Sequence, residues 1–216
     1  MRPKLLRQLR DIGLRGGLKS VYHSIRQTGR PSSLVVTSQV ITEIHPETEF
    51  KIGNRLTVGT GRRGASHPRI GRSKLHTEPG STVQHTGRDL AIVGPASVLH
   101  VEGEFSMGDS YINSHARILC GNKINIGDDV SIAWNVQILD DDRHDLTVAG
   151  NPTQRTGQIH IDDDVWIGHD VSIHKGVTVH SGSVVASNSV VTTDVPPQTL
   201  VAGTPAEVIR RNVDWG

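Results

Sequence analysis

A six-residue repeat is the feature that most restricts the fold of this chain. From Ile161 the sequence divides into the hexads IDDDVW, IGHDVS, IHKGVT, VHSGSV, VASNSV and VTTDVP. Ile or Val occupies the first place of every hexad, and Val or Ser occupies the fifth. The same frame fits three hexads from Ile126 and two from Ile112, with a two-residue slip at Ile124. These are internal structural repeats.

The period predicts an all-β solenoid. Short strands begin with β-branched residues that stack from coil to coil, and Gly, Asn and Asp accommodate the corners. Aromatic residues make up 3% of the chain, as suits a core of stacked aliphatic side chains. After residue 35 no long segment has the 3.6-residue apolar spacing of a helix. Between Val35 and Val101 the rhythm is looser, which indicates irregular early coils or, alternatively, an independent small β unit.

Composition excludes several classes of function. The 216 residues suffice for one main body. Lys and Arg total 23 against 22 Asp and Glu, so a general attraction to nucleic acid is not indicated, and nucleic-acid motifs are absent. Cys120 is the single cysteine, which favours a reducing compartment. We expect its thiol to be a small buried side chain and not a nucleophile. The reducing compartment leads us to expect a cytoplasmic protein, with the inner face of the membrane as an alternative location. No apolar run of about 18 residues is present, so we expect no membrane-spanning segment.

The repeat is interrupted at ILDDDRHDL, where four aspartates surround an Arg and one His. The next in-frame aliphatic residue is Ile161, so a loop over residues 139–160 must leave the coil, and functional residues concentrate on such loops. If residues 140–144 are extended, the side chains of Asp140, Asp142 and His144 point to one side. The imidazole of His144 then has the chemistry of a general base. A metal site of two carboxylates and a His, or a solvated acidic turn, are the alternatives.

From about Ile112 to Arg211 the chain resembles the hexapeptide-repeat acyltransferases, particularly the maltose and galactoside O-acetyltransferases and the polysaccharide O-acetyltransferases. The segments that carry the resemblance are YIN, INIGDDVSIAWNVQILDDDRH, IHIDDDVWIGHDVSIHKGVTV and SVVTTDVPPQTLVAGTPAEVIRR. It implies a left-handed parallel β-helix with three hexads per turn, a homotrimer, and active sites shared between neighbouring subunits. It also implies acetyl-CoA as co-substrate, with no metal required.

The resemblance also implies roles for individual residues. In such enzymes a His of this loop deprotonates the acceptor hydroxyl, which attacks the acetyl-CoA thioester directly, and His144 falls at that place. Asn113 in YIN matches an Asn that contacts the acceptor, although a corner-turning role is the alternative. Asp142 is a further candidate catalytic residue. The loop is about one residue longer before its His than in the sugar acetyltransferases, so the roles of Asp140 and Asp142 stay open.

For the cofactor, the resemblance implies that Trp166 and the segment around His169 line the pantetheine groove. Ser187 and Thr192 match positions that contact CoA, and Arg210 matches a cation near its phosphates. Two departures are Thr193 and Glu207, which stand where basic residues are expected, so that phosphate contacts would depend on Arg210 and Arg211.

For residues 204–216, TPAEVIRR predicts a short C-terminal helix and tail, with Thr204 as N-cap, Pro205 next and Glu207 completing a capping box.

Residues 1–30 form a basic segment whose apolar residues have helical spacing. We expect two short amphipathic helices separated by Gly13, Gly16 and Gly17. They could lie on an anionic membrane or cap the first coil of the solenoid, and we favour the cap. The basic residues are Arg2, Lys4, Arg7, Arg10, Arg15, Lys19, Arg26 and Arg30.

The sequence therefore predicts an acyl-CoA-dependent O-acetyltransferase that acts on a hydroxyl of a sugar or polysaccharide precursor. One alternative is a sugar N-acetyltransferase. Another is a zinc-dependent hydratase like the γ-class carbonic anhydrases, in which His169 and His174 would be ligands, although Trp134 stands where a further His would be needed. A catalytically silent scaffold is the third. The acceptor is not specified by the sequence.

Overall fold

The structure is a computed structural model that describes the backbone of residues 3–31, 33–60 and 71–216, and the side chains of this part of the chain from residue 15 onward. After the helix α1 (Pro3–Thr28), the chain winds into a parallel β-helix in which successive strands join three sheets in turn. Sheet A contains β1 (Leu34–Val36), β4 (Arg55–Val58), β7 (Leu90–Val93), β10 (Tyr111–Ile112), β13 (Ser131–Ile132), β18 (Trp166–Ile167), β21 (Val184–Val185), β23 (Thr199–Gly203) and β24 (Ala206–Arg211).

Sheets B and C complete each coil. Sheet B contains β2 (Val40–Ile44), β5 (Ser73–Thr77), β8 (Val98–Val101), β11 (Arg117–Cys120), β14 (Gln137–Leu139), β19 (Ser172–His174) and β22 (Val190–Val191). Sheet C contains β3 (Glu49–Ile52), β6 (Thr82–His85), β9 (Glu104–Met107), β12 (Lys123–Ile126), β17 (Ile159–Ile161) and β20 (Thr178–Val179). We name the corners A–B, B–C and C–A after the sheets that they join.

The register of the strands explains the six-residue repeat. Ile167 pairs with Val185, eighteen residues further along, which is three hexads per coil. Ile112 pairs with Ile132, twenty residues further along, and the two additional residues account for the slip at Ile124. The residues before Val101 also form coils of the same helix, so the independent β unit is not observed.

The core is a column of aliphatic side chains inside the three sheets. The first residues of the hexads, such as Ile126, Ile132, Ile167 and Ile173, are fully or almost fully buried. Burying one Val, Leu or Ile side chain stabilises a fold by about 1.5–3 kcal/mol, and these residues recur in every coil. The scaffold that carries the loops is therefore rigid.

At the N-terminus the prediction of two short helices is wrong, because α1 is one helix that packs against β1 and β3. Gly16 allows this close approach, since a Cβ atom there would lie 2.8 Å from the backbone nitrogen of Ser38. Ser20 Oγ accepts the N–H of Val36 at 2.9 Å, and Ser24 Oγ accepts the N–H of Leu34 at 3.1 Å. The helix thus caps the first coil, as we favoured, and satisfies its exposed backbone groups.

The face of α1 that points away from the β-helix is partly apolar. Leu18, Val21, Tyr22 and Ile25 are exposed. The predicted basic residues before Arg15 lie outside the described side chains. Membrane contact through residues 1–30 stays a prediction, and no described helix combines the length and the apolar character needed to cross a bilayer.

The predicted C-terminal helix is also wrong. Residues 206–211 form β24, which pairs with β23 in antiparallel fashion. The last coil leaves the backbone groups of β23 unpaired along one edge, and a returning strand satisfies them where a helix would not. Val208 and Ile209, which are β-branched, favour this extended conformation. Pairing with β23 therefore outweighs the helix-capping motif of TPAEVIRR.

Candidate functional site

The predicted loop leaves the β-helix at the B–C corner. It follows β14 and returns at β17, and it contains a small antiparallel hairpin of β15 (Thr147–Val148) and β16 (Asn151–Pro152). Ala149 and Gly150 form the turn, with φ of 50° and 82°. The prediction of a loop in this position is confirmed, and the described residues 142–152 are exposed.

His144 is exposed on this loop, and its neighbours anchor the chain on both sides. Asp142 forms an ion pair with Lys175 of the next coil. Arg143 Nη1 lies 2.5 Å from Glu102 Oε1 of a preceding coil. No hydrogen bond of the His144 side chain is found among the described residues. The loop therefore presents an imidazole to solvent from a backbone held by charged groups of two different coils.

Asp140 does not flank His144. Its side chain is fully buried and accepts the N–H groups of Gly121 at 2.6 Å and Asn122 at 3.0 Å. Burial raises the pKa of the Asp140 carboxyl, and these backbone N–H groups oppose the rise. Burial, reinforced by Asp140, also raises the pKa of Cys120, so the thiol stays protonated, as expected for a packed side chain.

The predicted alternation over residues 140–144 also fails because the segment is not extended. Arg143 has φ of 65°, in the left-handed region. Asp141 is nearly buried and lies 3.1 Å from Nε of Arg155, on the returning part of the loop. Asp141 thus closes the base of the loop, and of the three consecutive aspartates only Asp142 is exposed.

The A–B corner carries a second group of predicted residues. Register places Trp134, His169 and Ser187 at equivalent positions of this corner in successive coils, and Asn113 lies one position earlier in the preceding coil. The rings of Trp134 and His169 are stacked, with centroids 4.9 Å apart. Asn113 is almost buried, and its Oδ1 accepts the N–H of Ser114 at 2.7 Å, which supports the corner-turning alternative.

The remaining predicted residues lie elsewhere. Trp166, on β18, is 46% exposed, and its ring lies 6.1 Å from that of Trp215, a neighbour that sequence reasoning missed. Thr192 follows β22 and is exposed at the B–C corner. Arg210 is exposed on β24. A single chain therefore divides the predicted residues between two corners and the outer face of sheet A.

The two corners are well separated within one chain. A strand of sheet B such as β11 lies between them, and its four residues span about 13 Å. Asn113 and His144 are consequently not brought together in one chain. His169 and His174 are likewise divided, because one lies at the A–B corner and the other ends β19 beside the B–C corner. The pair required by the hydratase alternative does not form within this chain.

A cluster that sequence reasoning missed lies on the outer face of sheet B. The ligand atoms of His76, Glu78 and His100 lie within 4.8 Å of one another. Its signal in the sequence is a repeated His-x-Glu pattern, His76 to Glu78 and His100 to Glu102, on strands of alternating burial.

Comparison with known proteins agrees with the predicted hexapeptide repeat. Residues 158–193 match the family model described as bacterial transferase hexapeptide (six repeats). The polySia-specific acetyltransferase NeuO is 24% identical, with 85% of this chain and 89% of that chain covered and a TM-score of 0.55. The N-acyltransferase AntD from Bacillus cereus, in complex with dTDP and coenzyme A, is 18% identical, with coverage of 62% and 75% and a TM-score of 0.52.

A hexapeptide-repeat acetyltransferase from Vibrio cholerae is 34% identical, with 64% of this chain and 70% of that chain covered and a TM-score of 0.45. Comparison with curated proteins gives no match. The family match confirms the predicted hexapeptide-repeat resemblance over residues 158–193, and the fold is the parallel β-helix of such transferases, left-handed in this class.

Proposed function

We propose that this chain, a hexapeptide-repeat transferase by its repeats and its fold, is an acetyl-CoA-dependent O-acetyltransferase with His144 as general base. One observation carries the proposal. The loop that interrupts the repeat presents an exposed imidazole at a corner of a rigid β-helix, and ion pairs hold the residues immediately before it. Function on such scaffolds is concentrated in loops of this kind.

In the proposed reaction the oxygen of the acceptor hydroxyl attacks the thioester carbonyl carbon of acetyl-CoA. A nitrogen of the His144 ring accepts the proton of that hydroxyl at the same time. The tetrahedral intermediate then collapses, the carbon–sulfur bond breaks, and the thiolate of CoA takes the proton from the imidazolium. General base catalysis of this kind contributes about 10²–10⁴-fold to a rate. Asp142 would act on the loop through its pair with Lys175 and is a positioning residue in this scheme.

The acceptor that we propose is a hydroxyl of a sugar or polysaccharide precursor. Support comes from the fold shared with NeuO, an acetyltransferase specific for polySia. The exposed indole of Trp166 offers a flat apolar surface for pantetheine. His169, Ser187, Thr192 and Arg210 are the other proposed CoA contacts.

We further propose that the chain forms a homotrimer in which each site combines residues of two subunits. The separation of His144 from the A–B corner in one chain supports this, because a second copy could place that corner beside the loop of the first. In this arrangement Asn113 would contact the acceptor as well as turn the chain. Closed cyclic symmetry would repeat such a contact at every interface.

The experiment that tests the reaction measures CoA release from acetyl-CoA over a panel of sugar hydroxyl acceptors and their amino-sugar counterparts. Release that depends on a hydroxyl acceptor, with a product heavier by one acetyl group, would establish O-acetyl transfer. Release only with amino sugars would establish the N-acetyltransferase alternative. Absence of release with every acceptor would contradict the proposal.

A further inference from the structure

The outer face of sheet B holds two histidines that face each other across neighbouring strands. His76 of β5 pairs in register with His100 of β8. Each is followed two residues later by a glutamate, Glu78 and Glu102, so that strand alternation places all four side chains on the same face. The two imidazole rings meet edge to face with centroids 4.4 Å apart.

Both ring nitrogens of His76 lie beside carboxylates. Its Nδ1 lies 2.7 Å from Glu43 Oε2, and its Nε2 lies 2.7 Å from Glu78 Oε1. Glu43 is itself held by Lys74 at 2.7 Å. Binding of a metal ion at Nε2 would displace the proton of that nitrogen, and Glu43 would then accept the Nδ1–H bond, as outer carboxylates do for metal-binding histidines.

His100 contributes a buried nitrogen that lacks a satisfied hydrogen bond. Its Nε2 is inaccessible to solvent and has no hydrogen-bond partner among the described residues. Glu102 Oε1 lies 3.2 Å away but outside hydrogen-bonding geometry. Buried polar atoms without a partner are rare, and an ion bound at this nitrogen would satisfy it.

We propose that Nε2 of His76, the carboxylate of Glu78 and Nε2 of His100 bind one divalent transition-metal ion, best matched by zinc. Two imidazoles and a carboxylate are a donor set that zinc accepts, with a fourth position left for water. A tetrahedral ion with bonds of about 2.0–2.1 Å needs donor atoms roughly 3.4 Å apart. The donors lie within 4.8 Å of one another on partly exposed side chains, so binding would require small side-chain rotations.

The site is connected to the loop that carries His144. Glu102, beside the buried nitrogen of His100, is the residue that pairs with Arg143. A bound ion would stabilise this end of sheet B and, through Glu102, the position of Arg143. The ion binds outside the proposed reaction, so metal binding is testable whether or not the chain transfers acetyl groups.

The test measures zinc bound to the untagged full-length chain after zinc loading and exhaustive dialysis. We expect about one zinc per chain, and tetrahedral cobalt absorption on substitution with cobalt. His100→Ala and Glu78→Gln should each lose this zinc, whereas His160→Ala, which removes an outward-facing His of β17, should retain it. Glu43→Gln should weaken binding by about 10–100-fold while leaving the ligands in place.

Two outcomes would overturn the proposal. One is a wild-type chain that retains no zinc, in which case His76 is an imidazolium held between two carboxylates. The other is equal retention by wild type, His100→Ala and Glu78→Gln, which would place the ion elsewhere. Circular dichroism of each variant distinguishes loss of the site from loss of the fold.

Discussion

The three consecutive aspartates before His144 have different surroundings although their side chains are chemically identical. Asp140 is enclosed under the B–C corner and satisfies two backbone N–H groups of the preceding coil. Asp141 closes the base of the loop with Arg155. Asp142 is exposed and pairs with Lys175. Asp140 and Asp141 therefore have structural roles in this acidic segment.

This difference predicts unequal effects of mutation. Asp140→Ala should lower the free energy of unfolding by about 1–3 kcal/mol, because the buried N–H groups of Gly121 and Asn122 lose their acceptor. Asp142→Ala, the matched control, should cost no more than about 1 kcal/mol, as is usual for an exposed ion pair. Urea unfolding of both variants measures the difference. Equal destabilisation would show that Asp140 is not a structural residue.

Among the elements, the C–A corner is built from a ladder of glycines and aspartates. The carboxylate of Asp163 accepts the N–H of Asp128 at 2.7 Å, and that of Asp128 accepts the N–H of Asp109 at 2.7 Å. A Cβ atom at Gly127 would lie 2.2 Å from Asp163 Oδ1, so only glycine permits the carboxylate to approach. The recurring Gly-Asp pairs of the repeat thus have a structural origin.

The ladder predicts a dependence of stability on pH. Burial alone would raise the pKa of Asp109, but the N–H groups of Arg88 and Asp89, with the imidazole of His85, lower it overall. A carboxyl with a lowered folded pKa stabilises the fold above its unfolded pKa of about 3.9, and this contribution disappears as pH falls through the folded value. Asp109→Asn should therefore destabilise the chain at pH 7 and by progressively less below about pH 4.

Urea unfolding of the wild type and Asp109→Asn at several pH values between neutral and strongly acidic measures this prediction. The difference in free energy between the two chains should shrink as the solution becomes acidic. A difference that is independent of pH would show that the charge of Asp109 makes no contribution to the stability of the corner.

The secondary-structure elements were predictable from the sequence where the repeat is regular. They were not predictable where tertiary contacts determine the local conformation. Stacked Ile and Val residues fix the strands, the register and the position of the loop. The N-terminal helix continues through Gly16 because the β-helix packs against that glycine. Residues 206–211 are extended because β23 has an open edge. The conformation inside the loop depends on partners such as Glu102 and Lys175, which lie in other coils.

At the scale of the whole molecule, the site residues lie at corners that a single chain keeps apart. If neighbouring subunits share each site, His144→Ala and Asn113→Ala should each be inactive alone yet recover activity when co-expressed. Random mixing leaves about one quarter of the sites with both native residues, so activity should approach that fraction of wild type. Activity no greater than the sum of the separate variants would show that both residues act within one chain, or that Asn113 is not part of the site.

The role of His144 as general base is tested by comparing turnover of the wild type with that of His144→Ala, using acetyl-CoA and an acceptor that supports CoA release. We expect a decrease in kcat of about 10²–10⁴-fold with unchanged CoA affinity and oligomeric state, because the variant lacks the base but keeps the scaffold. His160→Ala, the matched control on β17, should turn over normally. An unchanged kcat for His144→Ala would contradict the claim that this loop is the catalytic element of the protein.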